Sequence, residues 1–247
     1  MALTPEQEWT IVACGLMAHA DGELTEGECD PVLAAIDERL PPSERARWTA
    51  LLIDRAALER HFEALPPPLP LFYEELLERA WSIALAGEAG EAELAMLERI
   101  ARHIDADLDE LATWRARWTQ AAGELAEQKA RFAALLIHAD GTIDPPEAEK
   151  FRALVDRMPL TDERKASLLA LLDAPPTLDH VGARLAALPR ERRLEVLRSV
   201  APLVAASEHE EIGRRFFLEL ANYAAAPEGL AERLLSEHTG DAPQPAS

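Results

Sequence analysis

Residues 16–28 read LMAHADGELTEGE, and residues 135–147 read LLIHADGTIDPPE. The two stretches belong to a gapless alignment of 16–54 on 135–173, in which twelve of 39 positions are identical. The identities include His19/His138, Ala20/Ala139, Asp21/Asp140, Gly22/Gly141, Glu28/Glu147, Asp37/Asp156, Glu44/Glu163 and Arg45/Arg164. The offset of 119 is close to half of the 247 residues, so the repeat implies two copies of one domain rather than a short-period solenoid. The expected organisation is a first helical domain over 1–120, a second over 121–239, and a disordered polar tail over 240–247.

The segments around the repeat predict helix throughout. Ala, Leu, Glu and Arg dominate the chain and all favour helix, while aromatic residues are only 5% of it and no period-two pattern stands out. Trp9, Val12, Leu16 and Ala20 recur at helical spacing, as do Phe132, Leu135, Leu136 and Ala139. Thr4-Pro5-Glu6-Gln7 has the form of a capping box with proline at the first helical position. Four prolines between Leu65 and Pro70 make a stiff connector, and Pro175-Pro176 plays that part in the second half. The expected helices cover 5–20, 26–40, 43–63, 71–86, 90–104 and 107–120, then 124–139, 145–158, 162–173, 177–187, 189–206, 208–225 and 227–238. The fold class is therefore all-α, as two tandem helical bundles of about six to seven helices each. A weaker echo of the motif lies at 86–93, where Gly87 and Glu93 survive and the Asp is Ala86, and another at 204–211.

The charge excludes several classes of function. The chain carries 25 Lys and Arg against 45 Asp and Glu, a formal net charge of −20. Nucleic acids and anionic membrane surfaces both require clustered cations, so neither is an expected partner. No apolar run reaches 18 residues, so no transmembrane helix is expected, and MALTPEQEWT lacks the positive start of a secretory signal. Two cysteines, Cys14 and Cys29, build no disulfide framework and fit a reducing cytoplasm. They are read as core thiols, four of the five tryptophans, Trp48, Trp81, Trp114 and Trp118, as packing residues, and His61, His103, His180, His209 and His238 as surface residues. No phosphate loop, His-Glu-x-x-His helix or nucleophile elbow occurs, so no enzyme is expected.

The motif itself admits two readings. Asp21, Gly22, Leu24 and Glu28 match the fifth, sixth, eighth and twelfth positions of an EF-hand calcium loop, and Asp140, Gly141, Ile143 and Glu147 match equally. The first and third positions hold Met17 and His19, then Leu136 and His138, so two acidic ligands per loop are lacking. Helix-corner physics explains much of the same pattern: Gly as a left-handed helix end, Thr25 or Asp144 as the next cap, and Glu28 or Glu147 as the third helical residue of a capping box. It explains Asp21/Asp140 and His19/His138 less well.

A helical domain with Ala-Asp-Gly-x-hydrophobic-x-x-x-Glu and a degenerate second copy some 65 residues on resembles the TerB-like family of tellurite-resistance proteins and of some DnaJ-like co-chaperones. The stretches that carry the resemblance are 19–28, 138–147 and, for the second half of the domain, Leu94 to Leu111. The resemblance implies a non-enzymatic, all-helical, stress-response binding or scaffold module. It implies a divalent cation (calcium, magnesium or zinc) at Asp21, Glu28, Asp140 and Glu147; His19 and His138, which flank these positions, are read as further candidate ligands. The alternative expectation is a metal-free acidic adaptor that recruits a basic protein partner by electrostatic steering.

Overall fold

The computed structural model describes residues 3–20, 22, 32–33, 40–87, 89–139, 141, 143, 145–205, 207 and 210–239. Among these residues the structure is all-helical, with no strand. The chain divides into two compact units, Met1–Ala122 and Gly123–Ser247. No helix among the described residues is long and apolar enough to cross a membrane.

In the first unit, α1 (Pro5–Ala18) is the central helix. Thr4 caps it by the expected capping box, its hydroxyl accepting from Gln7 N while Gln7 Oε1 accepts from Thr4 N. Every residue from Trp9 to Met17 is buried, so α1 is apolar around its whole circumference rather than along one stripe. Around it pack α3 (Arg55–Ala64), α4 (Tyr73–Ala86) and α5 (Glu91–His103), while α2 (Pro42–Ile53) packs on α3. The proline connector before α4 is anchored where the Trp9 indole N–H donates to the Pro66 carbonyl at 2.7 Å.

The long α6 (Leu108–Ile137) follows, and its later turns take the central place in the second unit, with Phe132, Ala134, Leu135 and Leu136 all buried. The other helices of this unit are α7 (Pro145–Asp156), α8 (Asp162–Leu169), α9 (Leu178–Ala186), α10 (Arg190–Ala205), α11 (Glu210–Tyr223) and α12 (Leu230–Thr239). α9 packs on α11, and α10 on α11 and α12. The first unit has one continuous apolar core. The second has two clusters: one joins α6, α9, α10, α11 and α12, and the other joins α6 to α7 and α8.

Two helix boundaries differ from expectation. The helix expected over 43–63 is two helices, because Asp54 leaves helical geometry (φ −84°, ψ 89°) and turns its carboxylate onto Ala57 N as a new cap. The break expected at 120–123 is absent: α6 runs straight through it. Only Gly123 disfavours helix there, by about 1 kcal/mol. A Cβ at Gly123 would lie 3.2 Å from both Leu160 and Arg164, so this glycine serves a close approach rather than a helix end. The helix expected over 26–40 lies outside the described residues except for Val32 and Leu33, which are helical and buried, and Leu40, which is not helical. The expected tail over 240–247 also lies outside them.

Candidate functional site

The repeated corner follows α1 in the first unit and α6 in the second. Asp21, Glu28 and Asp140 lie outside the described residues, as do Leu24, Thr25, Cys29 and Asp144. His19, Gly22, His138, Gly141, Ile143 and Glu147 are described.

His19 sits at the C-terminal cap of α1 and is 1% exposed. Its Nε2 lies 2.7 Å from the Leu52 carbonyl, at the end of α2, 33 residues along the chain. His138 Nε2 lies 3.0 Å from the Leu171 carbonyl, again 33 residues along. Since 19 and 138 differ by 119, as do 52 and 171, the two bonds are copies of one interaction. A carbonyl oxygen only accepts, so Nε2 carries the proton in both rings. In His19 the other ring nitrogen, Nδ1, lies 3.4 Å from the Gly22 carbonyl. The repeated histidine therefore clasps its corner to the chain that follows the motif.

Two other described motif residues, Gly141 and Glu147, also serve the corner, whereas Gly22 is not left-handed as expected. Gly141 takes the left-handed conformation, φ 85°, where a side chain would be strained. Pro145 opens α7 and Glu147 is its third residue, as the capping pattern predicts. In the weaker echo, Glu93, which aligns with Glu28, is 6% exposed and accepts from Gly90 N at 2.9 Å at the start of α5. No group of three or more His, Cys, Asp or Glu able to hold a metal occurs among the described residues.

Beside the second corner lies a hollow of about 240 Å³, with Ala133, Leu136, Phe151, Leu154 and Leu203 in its wall and Glu147 and Lys150 among its polar groups. It occupies the gap between the two apolar clusters of the second unit, to both of which Leu203 belongs. Sequence reading missed it, because the gap depends on how α6, α7 and α10 meet and no single residue marks it.

Cys14 is fully buried in α1, and burial pushes its thiol up to about 12, so it stays protonated and unreactive at neutral pH. Two histidines expected on the surface are packed instead. His103 lies 4.2 Å, centroid to centroid, from Phe62, and also against Trp9. His61 Nε2 lies 2.9 Å from Glu8 Oε1. Trp48, Trp81 and Trp118 are buried as expected. Arg99 clamps Glu59 with both terminal guanidinium nitrogens, at 2.9 and 2.5 Å, and that bond holds the Glu59 carboxyl below its usual range.

Compared with family models, curated proteins and solved structures, the chain shows no match.

Proposed function

We propose that this protein is a non-enzymatic tandem binding module of TerB-like type, which works through the two acidic helix corners. The observation that carries the reading is the duplicated histidine clasp. Both units hold the same bond between the same backbone and side-chain positions, and each clasped histidine is followed two residues later by an aspartate. With Nε2 committed to a carbonyl, a divalent cation at the corner would be held by the carboxylates of Asp21 and Glu28, and of Asp140 and Glu147. That oxygen-rich donor set suits calcium or magnesium better than zinc. The test is thermal unfolding of wild type and of a double variant, Asp21→Asn with Asp140→Asn, in calcium, magnesium, zinc or chelator. Calcium or magnesium is expected to raise the wild-type midpoint and to leave the variant unmoved. A wild-type midpoint insensitive to all three metals sinks the cation reading.

A metal-free adaptor for a basic protein is the second reading. It is favoured by the way described arginines such as Arg79, Arg99, Arg102 and Arg192 are engaged by glutamates of their own unit, while the chain keeps a net charge of −20. It predicts a salt-sensitive complex with a basic partner that chelator does not disturb.

A further inference from the structure

The repeat extends upstream of the motif, and there the two units part. At the same offset, Glu8 aligns with Glu127, Trp9 with Gln128 and Val12 with Arg131. Leu58 and Phe62 are buried in α3 as Val181 and Leu185 are in α9, which sets His61 against Arg184. In the first unit the arrangement is plain: His61 meets Glu8 at 2.9 Å, and Trp9 and Val12 are core residues, 1% and 0% exposed.

In the second unit three guanidiniums converge on one carboxylate. Arg164 Nε donates to Glu127 Oε1 at 2.5 Å. Arg131 and Arg184 each bring a terminal nitrogen towards Oε2, at 3.7 and 3.8 Å, too far for a good hydrogen bond. The Arg131 side chain is only 14% exposed, and its Nε is buried without a hydrogen-bond partner. One turn earlier on the same helix face, Gln128 is 5% exposed and its Oε1 is likewise buried without a partner. Arg164 and Arg184 remain about 40% exposed, so the cluster opens to solvent. Burial and the neighbouring Arg184 both push the Arg131 guanidinium below its usual range, with Glu127 the opposing charge.

A buried charge is tolerated when it is paired and hydrogen-bonded. Here a core aliphatic position of one unit has become an arginine in the other, and one carboxylate is shared among three cations. We infer that Arg131, Arg164 and Arg184 form a binding site for a tetrahedral phosphate-class anion, inorganic phosphate or a small phosphomonoester, with Glu127 as the positioning carboxylate. Forked guanidinium donors match phosphate oxygens two at a time, and a dianion supplies the charge that Glu127 alone does not.

The test is isothermal titration of the full chain, in dilute chloride buffer, with inorganic phosphate and separately with phenyl phosphate. Saturable binding of at least one is expected; tighter binding of phenyl phosphate assigns the site to a phosphomonoester, and tighter binding of inorganic phosphate to the free ion. Affinity is expected to fall by about tenfold or more in Arg131→Gln and Arg184→Gln, the loss of one charge-assisted contact. Arg131→Val supplies a variant that folds with the first unit's own side chain, and it should also lose binding. The inference is overturned if neither anion binds wild type, or if Arg131→Val binds as tightly as wild type.

Discussion

His19 and His138 hold the two corners through one N–H each, and the price of losing that donor depends on where the orphaned carbonyl is left. Leu52 is fully buried, and its carbonyl would be stranded without water if His19 were truncated. His138 is half-buried, so water can replace its N–H at the Leu171 carbonyl. His19→Ala should therefore destabilise the protein by about 1–3 kcal/mol, and His138→Ala by less. Denaturant midpoints, measured with and without chelator, check both the order and its origin. An effect of His19→Ala that vanished in chelator would make the ring a metal ligand instead. The residues of this site were legible in the sequence as a repeated His-Ala-Asp-Gly, but the role of the histidine was not. Its partner is a backbone carbonyl 33 residues away, and a carbonyl leaves no mark in the choice of side chain. The arginine cluster was legible only as a departure from the repeat, visible once the alignment is carried up to Glu8 and Glu127.

At the scale of helices, the crossings decide which glycines can be replaced. A Cβ on Gly182 of α9 would sit 2.3–2.5 Å from the Tyr223 ring at the end of α11. That ring is held in place because its hydroxyl donates to Asp179 Oδ1 at 2.7 Å. On α1, a Cβ on Gly15 would meet the Leu52 Cδ2 atom at 2.4 Å, the tip of a flexible side chain. Alanine is the better helix former by about 1 kcal/mol, and steric overlap must be set against that gain. Gly182→Ala is expected to be destabilising by about 1–3 kcal/mol, and Gly15→Ala by less, with chemical denaturation as the measurement. If Gly182→Ala proved neutral, the α9–α11 crossing would be looser than its geometry indicates. The same crossings show why helix type was easier to read than helix ends. The break at Asp54 has no proline or glycine to announce it, and a carboxylate reaching Ala57 N does the work of one. The continuity of α6 through Gly123 arises from helix-forming neighbours on both sides, which outweigh a single glycine.

At the scale of the whole chain, the two units differ in what they bury. All five tryptophans, Trp9, Trp48, Trp81, Trp114 and Trp118, fall within Met1–Ala122, and none within Gly123–Ser247. Tryptophan fluorescence therefore reports the first unit alone, while far-ultraviolet circular dichroism reports helix in both. The second unit divides its apolar core into two clusters, leaves a hollow of about 240 Å³ between them, and buries Arg131 and Gln128 where the first unit buries Val12 and Trp9. The first unit also buries two indole N–H groups without partners, those of Trp48 and Trp118, but a largely buried guanidinium costs more than a neutral N–H. With the divided core and the hollow, that cost should make the second unit unfold first. In urea, circular dichroism is expected to fall before tryptophan fluorescence changes. Gly182→Ala should move that early phase to lower urea and leave the fluorescence midpoint in place. Coincident transitions in wild type, shifted together by Gly182→Ala, would instead make the chain one cooperative body, with α6 spanning the division at Ala122 as its continuous element.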